Sequence, residues 1–296
     1  MVIVAVAGGG TGIGVDIIDA IRNTGKHELV VLSRSSQPRL DSLGVRVHVV
    51  DYSDPEQLKE SLRDVHTVIS CIAAYGSTSG TSELALLEAA KKAGVVRFVP
   101  SEWSGECHDI VDLYSAKPVV WKAVQASGLE YTRFVSGLWL NVWGPGCIRN
   151  QKEATGGYGA RPPFAIDLKA GTAIIPGDDS QKVVVMRTQD IGKFVAASLD
   201  MPQWPHEMKV GGDRLTLTEV VELARTVCGK NLQITRLSVE ELRGILQKGL
   251  SGGEQFYYQL LLAVATGRFD FESQSATLFP AIEPVTTVEY FQRYWA

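Results

Sequence analysis

Three groups of residues in this chain could do chemistry. The first is Gly8-Gly9-Gly10-Thr11-Gly12-Ile13-Gly14, placed directly after the apolar stretch Val2-Ile3-Val4-Ala5-Val6-Ala7. Glycine tolerates positive φ and lets backbone approach an anion, and a helix start just beyond offers unpaired N–H groups and a positive dipole end. That combination suits the pyrophosphate of a dinucleotide, with Gly8, Gly10, Thr11, Gly12, Ile13 and Gly14 as the expected contacts. The second group is Ser33-Arg34-Ser35-Ser36, at the end of the second predicted strand. An acidic residue there would read the ribose hydroxyls of NAD; none is present, and guanidinium beside hydroxyl donors suits a 2′-phosphate. Ser33, Arg34 and Ser35 therefore predict NADPH as the cofactor. The third group is Tyr114-Ser115-Ala116-Lys117, a phenol and an amine close enough in sequence to share acid–base work.

These groups need elements to position them. Ile13, Ile17, Ile18 and Ile21 recur at helical spacing, and Gly25 follows as a stop. Strands are predicted at Leu29–Leu32, Val45–Val50, Thr67–Ala73, Arg97–Pro100 and Tyr131–Val135. Helices are predicted between them, one opening at Asp54-Pro55-Glu56-Gln57 with Asp54 as cap and Gln57 closing a capping box. Others run over Glu83–Ala93 and Pro118–Ser127, which leaves Lys117 outside the regular helix. Strands alternating with helices predict an α/β fold, a doubly wound parallel sheet of Rossmann type that binds its ligand at the C-terminal edge. The small residues Ala73 and Ala74 at the fourth strand's end join the expected cofactor contacts.

After Trp143 the rhythm breaks into Gly144-Pro145-Gly146, Gly156-Gly157, Pro162-Pro163 and Gly171, a loop-rich passage. Helices return at Gln189–Leu199, Thr218–Cys228, Val239–Leu246, Glu254–Thr266 and Thr287–Trp295. The expected division is a dinucleotide-binding domain over 1–145, with returning segments near 183–212, and a smaller, mostly helical substrate lobe over 146–296. A cleft between the two is the expected substrate site. Trp103, Trp139 and Trp143 all follow predicted strand ends, where aromatic walls suit a flat substrate.

Composition narrows the function classes. The 296 residues are 45% hydrophobic and 21% charged, with a net charge of −4, which disfavours broad nucleic-acid or anionic-membrane binding. No apolar run reaches the roughly 18–20 residues of a membrane span. The N-terminus reads as a strand of the fold rather than a leader. Cys71, Cys107, Cys147 and Cys228 are scattered, as expected of reduced thiols in a cytoplasmic protein. The five histidines lack metal spacing, so no metal is expected. Neither a G-x-S-x-G elbow nor a Walker lysine occurs.

Gly8, Gly12 and Gly14 fit the G-x-x-x-G-x-G spacing of short-chain dehydrogenases, whereas a G-x-x-G-x-x-G reading puts Thr11 in the middle position. The Tyr-x-x-x-Lys pair of that group is one residue short here, which weakens a tyrosine-based mechanism. The segments Val99-Pro100-Ser101-Glu102-Trp103, Lys117 ahead of a helix, and Ser127-Gly128-Leu129-Glu130-Tyr131-Thr132-Arg133-Phe134 resemble the NmrA-like group of atypical short-chain dehydrogenases. That group includes the isoflavone reductase and phenylcoumaran benzylic ether reductase relatives. The resemblance covers residues 2–145 well and the remainder by general layout.

The resemblance implies that Lys117 is the catalytic lysine, bonding the nicotinamide ribose and donating a proton. Hydride delivery to a carbonyl or enone builds negative charge on oxygen, which calls for such a donor. A lysine amine titrates near 10.4 in water, and burial beside apolar groups lowers such amines toward about 7–8, where they protonate effectively. Tyr114 is the second candidate donor, and Glu102 could orient a substrate hydroxyl or cap the following loop. The expected function is an NADPH-dependent reductase of a small aromatic or conjugated ketone, enone or benzylic ether. Two alternatives remain: an NADP(H)-sensing regulator that binds another protein without turnover, and a non-redox isomerase or cyclase on the same fold. The expected partners are a small aromatic or conjugated molecule, not nucleic acid or membrane, with homodimer formation left open.

Overall fold

A computed structural model of the chain describes residues 1–73 and 79–296. The chain forms two compact units. The first takes Met1–Glu102, Ser115–Phe134 and Gly192–Met208; the second takes Trp103–Tyr114, Val135–Ile191 and Lys209–Ala296.

The first unit is built on six strands and the helices between them. In chain order these are β1 (Ile3–Ala7), α1 (Ile13–Thr24), β2 (Glu28–Ser33), α2 (Pro38–Asp41), β3 (Arg46–Val49), α3 (Pro55–Ser61), β4 (Thr67–Ser70), α4 (Ser79–Ala93), β5 (Arg97–Val99), α5 (Lys117–Gln125) and β6 (Glu130–Tyr131). The sheet is parallel throughout, in the order β3-β2-β1-β4-β5-β6. This is the Rossmann-type, doubly wound order, and its direction of winding reverses between β1 and β4. A central parallel strand is covered on both faces, so it reads as a continuous apolar run. Val4 to Ala7 of β1 are accordingly without exposure.

Ile17, Ile18 and Ile21 form the buried stripe of α1, each worth roughly 1.5–3 kcal/mol for burial of its side chain. Gly25 then closes the helix in the left-handed conformation. In α3, Asp54 accepts from the N–H groups of Glu56 and Gln57 at 3.1 and 3.0 Å, and Pro55 fills the first turn, where its missing N–H is no loss. Gln57 does not close a capping box. Its Oε1 instead accepts the Asp51 N–H at 2.6 Å, which fastens the turn after β3.

Several boundaries differ from expectation, among them the start of α4, which lies at Ser79 rather than Glu83. β4 stops at Ser70, so Cys71 to Ala73 leave the sheet. The sixth predicted strand is split into β6 and a separate short strand, β7 (Arg133–Val135). Lys117 is the first residue of α5, not a residue outside it. A proline at the second helical position leaves the hydrogen-bond ladder intact, because first-turn N–H groups have no partner in the helix.

The rest of the chain adds β8 (Leu138–Trp139), α6 (Gln151–Thr155), β9 (Ile166–Asp167), β10 (Thr172–Pro176), β11 (Val183–Met186), α7 (Thr188–Ser198), β12 (Glu207–Lys209), β13 (Asp213–Leu215), α8 (Leu217–Cys228), β14 (Gln233–Leu237), α9 (Val239–Leu246), α10 (Gly252–Ala265), α11 (Ser275–Leu278) and α12 (Thr287–Tyr294). Within the second unit lie two three-stranded sheets, β14-β10-β9 and β13-β11-β8. The passage expected to be loop-rich therefore contains strands as well as helices. Helices α8, α9 and α12 each open with a complete capping box: Thr216 with Glu219, Ser238 with Glu241, and Thr286 with Glu289. Among the described residues, no helix is long and apolar enough to cross a membrane.

Candidate functional site

The glycine turn lies at the C-terminal end of β1, with β2 and β4 on either side. Gly8 N–H donates to the Leu32 carbonyl at 3.0 Å, and Cys71 N–H donates to the Ala7 carbonyl at 2.7 Å. Two glycines are fixed here by crowding. A Cβ on Gly8 would stand 2.7 Å from the Cys71 carbonyl oxygen, and one on Gly14 would stand 2.8 Å from the Gly9 Cα and 2.9 Å from the Gly8 oxygen. Gly12 is fixed by conformation instead. It caps α1 at φ 62° and ψ −152°, a region essentially reserved for glycine, and the space where its side chain would be is open. The turn thus packs tightly against the sheet and presents a bare helix start outward, which fits an anionic group. Thr11 beside it is exposed, and Ile13 is buried as the first residue of the helix.

The end of β2 reaches the same turn. Ser33 is buried, while Arg34 and Ser35 are exposed. Gln37 joins the two: its Nε2 donates to Ser33 Oγ at 2.9 Å, and its side chain lies where a Cβ on Gly10 would stand, 2.5 Å from Oε1. Sequence reasoning passed over Gln37, since a glutamine in a loop carries no motif. Arg34 acts electrostatically on Tyr52, whose hydroxyl donates to the Leu32 carbonyl at 3.4 Å and whose phenol is pushed up by burial. Arg39 is engaged elsewhere, 2.5 Å from Asp19 of α1. Ala73 is exposed just after β4, and Ala74 lies outside the described residues.

Beyond β5, Ser101 is a hub. Its N–H donates to Glu83 Oε1 at 2.6 Å, its Oγ donates to the Ile72 carbonyl at 2.9 Å, and its carbonyl accepts from Lys117 Nζ. The loops after β4 and β5 and the starts of α4 and α5 are thereby tied at one residue. Glu83 is buried, and desolvation pushes its carboxyl above the usual carboxylate range, against the pull of the Lys117 charge and the Ser101 N–H. Cys71, pressed against Gly8, is likewise held as a thiol, first by burial and then by the neighbouring Glu83. Glu83 was not singled out from the sequence. An acid near the start of a helix reads as a solvated dipole partner, and nothing in its spacing signals burial.

The remaining candidates fall in the second unit. Tyr114 ends a short 3₁₀ turn, Asp112–Tyr114, with its ring edge-on to Phe256 at 6.0 Å between centroids. Trp139 Nε1 donates to the Trp103 carbonyl at 3.0 Å, which ties the partly exposed Trp139 indole to the backbone of Trp103, itself buried. Trp143 is a correction. It has no exposure, its Nε1 donates to the Phe164 carbonyl at 3.2 Å, and its carbonyl accepts from Trp295 Nε1 at 2.9 Å. A ring enclosed by protein with its one donor satisfied is packing and offers no face to a ligand.

Comparison with known proteins agrees with this layout. The oxidoreductase BOA1 of Botryotinia fuckeliana is 34% identical over 238 residues, covering 78% of this chain and 77% of its own. An isoflavone reductase homolog of Nicotiana tabacum is 25% identical, covering 97% of this chain and 96% of its own. The solved structure of AtPrR2 with NADP+ and (+)-pinoresinol has a TM-score of 0.80 at 21% identity, covering 98% of each chain. The model of the NmrA-like family matches residues 2–291. A match that runs from before the first strand into the last helix carries the conclusion: this chain belongs to the NmrA-like family.

Proposed function

We propose that this protein is an NADPH-dependent reductase of a small aromatic or conjugated ketone, enone or benzylic ether, with Lys117 as proton donor. The observation that carries the reading is the placement of Lys117 Nζ on the Ser101 carbonyl, just past β5 of the sheet whose first crossover is the glycine turn. The crowding at Gly8 and Gly14 and the open helix start at Gly12 support a dinucleotide there. The backbone of Gly8, Gly10, Thr11, Gly12, Ile13 and Gly14 would hold the pyrophosphate, and Ser33, Arg34 and Ser35 the 2′-phosphate, with Ala73 and Ala74 beside the cofactor. The names of the relatives as oxidoreductases, and the NADP+ in the AtPrR2 structure, favour the same cofactor.

Bound NADPH supplies a hydride to an electrophilic carbon. The task left to the protein is to place a proton where negative charge develops on the substrate oxygen. Lys117 Nζ carries that proton and is aimed by the Ser101 carbonyl. Trp139, which is partly exposed, offers aromatic surface for a flat substrate, and Tyr114 is a second donor. The test is the absorbance of NADPH at pH 7 with the purified protein and a panel of aryl enones, quinones and benzylic ethers. Oxidation dependent on one of these classes supports the reading. NADPH bound but unconsumed across the whole panel contradicts it.

A further inference from the structure

Glu83 is the buried titratable group to which this reading gives no task. It lies in α4 with 5% of its surface exposed, where a carboxylate is costly unless paired. Its Oε1 takes the Ser101 N–H at 2.6 Å while Lys117 Nζ gives to the Ser101 carbonyl, so the two side chains grip one residue's backbone from opposite ends. Fastening the N–H alone does not require an acid, since a glutamine oxygen accepts equally well. The groups that face it are mixed. Lys117 from α5 is the cation that acts on Glu83; Glu102, beyond β5, opposes it, and Cys71 and Tyr52 also sense its charge.

We propose that Glu83 is the positioning residue for Lys117, holding the amine in place through the Ser101 backbone. This rests on Lys117 being the proton donor, yet the claim about the Glu83–Lys117 pair is separately measurable. A proton donor that must be aimed before each turnover gains its orientation from one buried side chain that need not touch substrate.

The experiment needs no substrate. Wild-type protein and Glu83→Ala are labelled with trace acetic anhydride at pH 8, and the labelling of each lysine is read by peptide mass spectrometry. Only the uncharged amine reacts. Releasing the Ser101 backbone that aims the amine should raise Lys117 labelling by about twofold or more, the equivalent of one lost hydrogen bond. Labelling of Lys122, exposed on the same helix, should stay constant. Glu83→Leu is the parallel variant in case the truncation disturbs folding: it fills the space but offers Ser101 no acceptor, and should give the same rise. Wild-type labelling of Lys117 in a folded variant, judged by circular dichroism and NADPH binding, overturns the proposal. Failure of the proton-donor reading looks different: Lys117→Ala would consume NADPH normally whatever the labelling shows.

Discussion

The side chain of Gln37 lies over Gly10, where a Cβ would stand 2.5 Å from its Oε1, while its Nε2 holds Ser33 at 2.9 Å. This contact links the glycine turn to the loop after β2. It also differs in kind from the contacts at Gly14, where the obstructing atoms are backbone.

That difference predicts two unequal substitutions. Gly14→Ala forces main chain apart, and overpacking of this sort costs about 1–3 kcal/mol. Gly10→Ala displaces only the end of a flexible side chain and should cost less. Thermal unfolding of both variants checks the order. Equal melting temperatures would mean that the turn yields at Gly14 as readily as at Gly10.

A second prediction concerns the choice of cofactor. Arg34 is exposed at the end of β2 with Ser35 beside it and is free of the Asp19 contact that occupies Arg39. Losing one charge-assisted contact to phosphate should weaken NADPH binding by roughly tenfold or more in Arg34→Ala, with NADH binding little changed. Calorimetric titration with both nucleotides measures this. Equal affinity for the two in the wild type would remove the role assigned to Arg34.

The third prediction follows from Glu83. Its carboxyl titrates above the ordinary 4.5 because burial penalises the anion. A native state that retains a proton the unfolded chain has released loses stability as pH rises from about 4.5 through the folded value. Wild-type protein should therefore lose stability relative to Glu83→Gln over that window, and the two should converge below it. Urea unfolding at a series of pH values reports the difference. A gap that widens toward acid would reverse the sign.

Much of this was readable in the sequence, for physical reasons that also explain the omissions. The isoleucines of α1 and the buried run of β1 announce themselves because periodicity reflects which faces are covered. Asp54 and the glycine turn were legible because capping and tight glycine turns use local backbone geometry. Lys117 was misplaced relative to its helix, since the restriction imposed by a following proline is a preference that the first turn overrides. Strands β10 and β11 were missed because glycines and prolines around short apolar runs read as loops until a partner strand is present. Glu83, Gln37 and Trp143 depend on contacts between segments distant in sequence, which composition and spacing do not encode.

The most direct test of the central claim is the rate of NADPH oxidation by Lys117→Ala, with an acceptor that the wild type reduces, measured alongside nucleotide affinity. The account predicts turnover lowered by the 10²–10⁴-fold that a positioned proton donor contributes, with nucleotide affinity lowered by no more than the roughly tenfold of one lost ribose hydrogen bond. Unchanged affinity with undiminished turnover would contradict it.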